Sequence, residues 1–346
     1  MKAFVYHGPK NMSLDQVPDP KILKPTDAIV RVTTSTICGT DKHIRNGGMP
    51  EVEPGRVIGH EFCGEVIEIG SSVHKFKVGD KVAVSCVTHC NSCYYCKRQL
   101  YSHCVNGSWL FGYKIDGCQA DMVRVPYADN GLYLIPDGLT DEDVLFVGDI
   151  LSTGYFAAEN GSIQPGDTVA VFGSGPVGMC AMATARRWGP SRVVAVDIDQ
   201  SRIDFALEQK WADYGLNPNK VDVTQALKDF TNGRGADVTI EANGFEPTFK
   251  AAINAVRPGG TVSLVGVFEK PQLLEMNKLW IQNITIKMGL VPANHIPRLI
   301  DLIKEGKLNM KPLITHTIPL SQVADGYDIF EQRRDNAIKV VLKADA

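Results

Sequence analysis

A chain of 346 residues, 44% of them hydrophobic, exceeds the size at which one core usually keeps growing, and predicts two domains. Its 36 basic and 39 acidic residues leave a net charge of −3, which offers a polyanion no electrostatic footing and argues against nucleic acid as a partner. The opening MKAFVYHGPKNMSLD lacks a continuous apolar core of the signal-peptide kind, and no run of about eighteen apolar residues predicts a membrane span; the expectation is a soluble, cytoplasmic protein.

From Met1 to about Val147, β-branched runs bounded by Gly and Pro predict a strand-rich, barrel-like region: AIVRVTTSTI, CGEVIEIG, GDKVAV and ADMVRVP. Inside it, THCNSCYYCKRQLYSHC places Cys90, Cys93, Cys96 and Cys104 in one loop, spaced C-x2-C-x2-C-x7-C. Four soft ligands from one loop suit a closed, structural tetrahedral zinc site. Lys97 and Arg98 stand beside Cys96 to offset the negative charge of four thiolates. The total of nine cysteines is odd, which weakens a disulfide reading for a reduced compartment. An iron–sulfur cluster or a redox C-x-x-C pair remains open on the spacing alone.

After Thr168 the pattern changes to strand, helix, strand: TVAVFG, PVGMCAMATARRWG, RVVAVD, SRIDFALEQKWA, DVTIEAN, FKAAINAVRPGG, TVSLVGV. This alternation predicts an α/β unit, a doubly wound parallel sheet with helices on both faces. NITIKMGLV supplies a further candidate strand. Gly173, Gly175 and Gly178 form G-x-G-x-x-G between the first strand and the first helix of this unit. The first glycine allows the tight turn, the second lets a pyrophosphate approach, and the third lets helix pack on strand. Free N–H groups at the helix start then face the phosphates. Asp197 ends the next strand, nineteen residues beyond Gly178. A carboxylate there accepts both ribose hydroxyls and repels a 2′-phosphate, which predicts NAD rather than NADP. The competing role for Asp197 is to cap the following helix. From about Pro292 a helical HIPRLIDLIKEGK leads to a tail ending in the strand-like IKVVL, which is expected to return to the first domain. The expected division is 1–148 plus 292–346, and 149–291.

Three scattered segments complete the list: ICGTDKH with Cys38, VIGHE with His60 and Glu61, and FVGDILSTG with Asp149. Singly they read as a buried thiol, a turn histidine and a helix N-cap. Together, in this order, and with the cysteine loop and GSGPVG, they resemble the medium-chain zinc-dependent alcohol dehydrogenase family over essentially the whole chain. The resemblance implies a GroES-like β-barrel catalytic domain, completed by the tail, and a Rossmann NAD-binding domain. It implies a catalytic zinc on Cys38, His60 and Asp149, the aspartate standing where many members carry Cys, as in bacterial-type secondary-alcohol dehydrogenases. Glu61 matches a carboxylate near that metal.

Thr40 matches the residue that takes the alcohol proton, relayed through the cofactor ribose toward His43, and Asp41 a support for the His60 ring. Thr153 matches a position packed near the nicotinamide. Cys86 and Trp109 match residues of the alcohol pocket, where a Trp leaves room for small chains. Cys63, Cys118 and Cys180 read as buried apolar residues. GDILSTG and KLWIQNITIKMGLV look nearest a formaldehyde-dehydrogenase-like subgroup, without the long insertion of its dismutating members, which implies dissociable NAD. The implied protein is a two-zinc, NAD-dependent dehydrogenase of small primary or secondary alcohols, a homo-oligomer with a tetramer favoured over a dimer. Polyol, butanediol or formaldehyde dehydrogenase activity on the same scaffold is the alternative, and a non-catalytic nucleotide-binding relative would need broken zinc ligands.

Overall fold

The computed structural model describes residues 1–345, which divide into two compact units, Met1–Ser152 with Pro292–Ala346, and Thr153–Val291. The first unit is built on a seven-stranded mixed sheet. Its strands run in the order Leu132–Leu134, Lys81–Val84, Phe62–Ile69, Ala28–Thr36, Lys339–Lys343 and Ile314–Pro319, with Met122–Val125 also paired to Ala28–Thr36. The last two strands come from the tail. Lys339–Lys343 lies antiparallel to Ala28–Thr36, placing Val341 opposite Thr36, and parallel to Ile314–Pro319. The tail thus joins this sheet by backbone pairing.

Among the described residues, two large apolar clusters and a small one around Ala3, Val5, Val57 and Ala120 lie in this unit. One large cluster joins Val30, Phe62, Val82, Val84, Phe111 and Val123, the inward residues of alternating strands. The other joins the beginning and end of the chain: Phe4, Tyr6, Ile37, Ile44 and Ile58 pack with Val323, Tyr327, Val340 and Leu342. Burying a large apolar side chain contributes about 1.5–3 kcal/mol, so several such contacts hold the tail in place.

The second unit is a six-stranded, all-parallel sheet. Numbered within the unit its strands stand in the order 3-2-1-4-5-6: Tyr214–Leu216, Arg192–Val196, Thr168–Phe172, Ala236–Glu241, Val256–Leu264 and Thr285–Met288. The order reverses beside Thr168–Phe172, the switch point at which doubly wound sheets bind nucleotides. All five residues of that strand are buried, as expected for a strand covered on both faces. The chain departs from its apparent helical pattern at Val256. The helix Glu246–Ala255 stops before Val256–Leu264, which enters the sheet. Pro258 accounts for this, because it disfavours helical backbone at Arg257, and Gly259 follows at φ +71°. The helix Val223–Phe230, capped by Asp222 through the Gln225 N–H at 3.0 Å, lay outside the recognised pattern.

Candidate active site

The four-cysteine loop closes on itself. Cys90 Sγ lies 3.5 Å from Cys104 Sγ and 4.0 Å from Cys96 Sγ, and Cys93 Sγ lies 3.5 Å from Cys96 Sγ. A disulfide would need about 2.05 Å, whereas four sulfurs around one zinc at about 2.3 Å stand about 3.8 Å apart. All four sulfurs lie within 4.8 Å of one another, so the donor set fits that ion. The thiols do not ionise alike by themselves. Burial raises the Cys90 thiol, but hydrogen bonds from Ser92 and its neighbours outweigh it and bring it down to about 5. Burial and the neighbouring Cys93 push Cys96 up to about 12. Crowded thiols ionise together only when a cation compensates them. Lys97 is exposed, and Arg98 lies 3.7 Å over the Tyr94 ring.

A second cluster gathers residues more than a hundred positions apart. Ligand atoms of Cys38, His60, Glu61 and Asp149 all lie within 4.8 Å of one another. His60 Nε2 is 3.2 Å from Asp149 Oδ2, and Cys38 Sγ is 3.8 Å from the same oxygen. Cys38 caps the helix Gly39–Arg45, where its N–H donates to Asp41 Oδ2 at 2.9 Å. Gly59 has φ +95°, and a Cβ there would come within 2.6 Å of Gln119 Cγ and 2.9 Å of its backbone nitrogen. Glycine alone therefore lets the backbone pass and turn His60 inward. Asp149 follows the turn Leu145–Gly148 and precedes the helix Ile150–Asn160. Its second oxygen accepts the Cys86 thiol at 3.5 Å.

The electrostatics of this cluster are dominated by buried acids. Burial, then the Glu61 charge, lifts the Cys38 thiol to about 11. Burial lifts Glu61 to about 7 against the pull of Lys339. Asp149 moves the other way, because His60 outweighs its burial. Against its own burial, Asp41 and Cys38 push the His60 imidazole well above its usual range. A dication would serve the same negative groups and leave the imidazole free to ligate. Lys339, buried in the tail strand, donates to Glu61 Oε1 and to the Ile37 carbonyl, each at 2.9 Å. Glu61 Oε2 is buried with no hydrogen-bond partner among the described residues. Soft, imidazole and carboxylate donors in one buried group fit zinc.

Thr40 and His43 lie one turn apart on the helix Gly39–Arg45, both half-buried, with Thr40 Oγ1 3.9 Å from Cys38 Sγ. Trp109 meets His60 edge-on at 5.7 Å and stacks on Tyr113 at 5.0 Å. Cys63, Cys118 and Cys180 are buried. Sequence reasoning missed Lys339, Gln119, Tyr113 and Tyr327. A lone lysine within the apolar IKVVL was the one signal that could have pointed to Lys339; the others look like ordinary residues.

In the second unit, Gly175 caps the helix Pro176–Ala185, with Pro176 in its first turn. Gly173 has φ +99°, and a Cβ on Gly178 would collide with the Gly173 carbonyl. A Cβ on Gly175 would meet nothing nearer than Arg202 Nη1 at 3.7 Å, so that side is open to a ligand. Asp197 Oδ2 accepts the Ser174 N–H at 2.6 Å, and Oδ1 accepts the Asp199 N–H at 2.9 Å. It is Asp199, not Asp197, that caps the helix Gln200–Glu208. Asp197 thus braces the glycine turn, with acceptor capacity to spare. Thr153 belongs to the helix Ile150–Asn160.

Residues 24–137 match the alcohol dehydrogenase GroES-like domain, and residues 176–305 match the zinc-binding dehydrogenase domain. An alcohol dehydrogenase of Cupriavidus necator is 37% identical, over 99% of this chain and 98% of that protein. The solved apo form of zinc dependent alcohol dehydrogenase 2 from Streptococcus pneumonia is 41% identical with a TM-score of 0.95, covering 100% of this chain and 99% of that one. Two further solved relatives, each 27% identical over 99% of this chain, are a protein described as a short chain alcohol dehydrogenase from E. coli CFT073, with NADH (TM-score 0.89, 99% of that chain), and a Sinorhizobium meliloti 1021 zinc-binding dehydrogenase with NADP (TM-score 0.87, 98% of that chain).

Proposed function

The chain belongs to the medium-chain zinc-dependent alcohol dehydrogenase family, and on that premise we propose that it interconverts small primary or secondary alcohols with aldehydes or ketones, using NAD. The observation that carries this reading is the convergence of Cys38, His60 and Asp149 on one point, with Asp41 behind the histidine. When bound, zinc acts as a Lewis acid toward the alcohol oxygen and the nicotinamide accepts the hydride.

The chain's own residues divide the remaining work. Cys38 and Asp149 contribute one negative charge each and His60 a neutral nitrogen, so Asp in place of a third ligand Cys leaves the charge count unchanged. Thr40 takes the alcohol proton, and His43, half-buried and one turn away, exchanges it with water. Lys339 holds Glu61 beside the ligands instead of letting it roam, because a buried unpaired carboxylate is costly. Trp109, against His60, limits the length of chain that fits, with Cys86 on the same wall. In the other unit, Gly173, Gly175 and Gly178 admit the pyrophosphate, Thr153 packs near the nicotinamide, and Asp197 favours NAD over NADP.

Cys90, Cys93, Cys96 and Cys104 hold a second, structural zinc, for two per chain. The nine free thiols suit a reducing, cytoplasmic setting. The strand Thr285–Met288 ends the parallel sheet, and Trp280, Ile281 and Met288 beside it are 72%, 62% and 67% exposed. An open apolar edge of this kind favours pairing with a second copy, within a homotetramer.

The test is NADH formation with ethanol, 2-propanol, 2,3-butanediol, sorbitol and formaldehyde, with NAD or NADP, before and after phenanthroline. Oxidation of simple alcohols with NAD that stops on chelation is expected. Preference for sorbitol, butanediol or formaldehyde would move the protein to those dehydrogenases on the same scaffold, and no turnover by a zinc-loaded protein would overturn the reading.

A further inference from the structure

Behind His60 runs a polar chain that the reaction itself does not use. Asp41 Oδ1 lies 3.2 Å from His60 Nδ1, slightly out of line for a full hydrogen bond. Asp41 Oδ2 accepts the Cys38 N–H at 2.9 Å and the Gln119 side-chain amide at 3.1 Å. Gln119 Oε1 accepts the Tyr327 hydroxyl at 2.9 Å. Asp41, Gln119 and Tyr327 are each 0% exposed. They come from three separate parts of the chain, and Tyr327 lies on the tail helix Val323–Gln332.

Chemistry gives this chain one direction. Asp41 Oδ2 accepts both N–H donors, so Gln119 turns its NH2 toward it and its carbonyl toward Tyr327, and Tyr327 donates. Burial, then the Asp41 charge, pushes the Tyr327 hydroxyl well above its usual range, which keeps it a donor. With Oδ2 already taken twice, Asp41 Oδ1 is left for His60 Nδ1–H. That tautomer leaves the Nε2 lone pair facing Asp149, where a metal would need it. The Tyr327 ring is itself held by Phe4 at 5.3 Å and by the Arg45 guanidinium at 5.5 Å.

We propose that Gln119 and Tyr327 are positioning residues of the metal centre, holding Asp41 so that it fixes the His60 ring, and that metal retention therefore depends on docking of the tail helix Val323–Gln332. The inference rests on the reading of Cys38, His60 and Asp149 as a metal site.

It is tested on the full-length, zinc-loaded protein by following metal release into excess 4-(2-pyridylazo)resorcinol. The release phase absent from Asp149→Asn belongs to this centre. Tyr327→Phe keeps the ring and removes only the hydroxyl; Gln119→Leu removes the whole link. Both are expected to speed that phase about tenfold or more, the scale for partners of metal-binding histidines, and to shift the visible d–d band of the Co2+-substituted protein. Val82→Ala, a cavity in the other large apolar cluster, away from the polar chain and the tail helix, is expected to lower the melting temperature without changing that phase. Unchanged release in both network variants, or equal acceleration by Val82→Ala, would overturn the proposal. A wild type that releases one metal, with no phase lost in Asp149→Asn, would instead overturn the metal-site reading on which the proposal stands.

Discussion

The two clusters of candidate metal ligands in this protein are built in opposite ways. The cysteine loop takes all four donors from positions 90–104. The other centre takes Cys38 from a helix start, His60 from the loop two residues ahead of the strand Phe62–Ile69, Asp149 from the end of a turn, and its buried lysine from the tail. A local loop brings its ligands together at a small closure entropy once an ion binds. The dispersed cluster exists only when the whole sheet has formed. The first can serve as a staple for its own segment, while the second sits where four parts of the fold converge, and an ion held there by three ligands would keep a position for substrate.

Substitutions at the two clusters should separate these roles. The largest effect is expected from Asp149→Asn, which removes a charged ligand: alcohol oxidation should fall by about a thousandfold, corresponding to several kcal/mol of lost electrophilic stabilisation, while the thermal melt stays nearly in place. Steady-state kinetics beside circular dichroism would show it, and a large melting shift with modest loss of activity would make the centre structural. Cys93→Ser should do the reverse. One zinc of two should be lost and the melting temperature should fall by roughly 5 °C or more, with kcat of the remaining folded protein little changed; retention of both metals would break the staple reading. The smallest effect belongs to the second unit. Asp197→Gly should shift the NAD/NADP preference toward NADP by about ten- to a hundredfold. Because Asp197 also accepts the Ser174 and Asp199 N–H groups, its melting temperature should drop slightly as well. An unmoved cofactor ratio would leave it a brace only.

How legible each part was in the sequence follows the same division. The parallel sheet, its glycine turn and the cysteine loop are spelled out by neighbours in sequence, since alternation, turn chemistry and ligand spacing all act over a few residues. The helix after Phe245 was overread into Val256–Gly260, because an apolar run does not announce where a proline will end it. Cys38, His60 and Asp149 each carried an ordinary local explanation and became a group only through family resemblance. Gln119, Tyr327 and Tyr113 carried no signal, because a glutamine or tyrosine reads the same in sequence whether its side chain faces solvent or an aspartate. Asp199 took the capping role that Asp197 was offered, which only hydrogen-bond geometry could decide.

By itself, then, the sequence determined two units, the class of each, a loop of four closely spaced thiols and a glycine turn suited to a pyrophosphate, because those features depend on short-range periodicity and spacing. The tertiary structure alone decided that the tail strand carries Lys339 to Glu61, that Trp109 stands against His60, and that Gln119 links Asp41 to Tyr327. Those contacts join positions as much as 278 residues apart. They arise only when folding buries polar groups that must then find partners in one another.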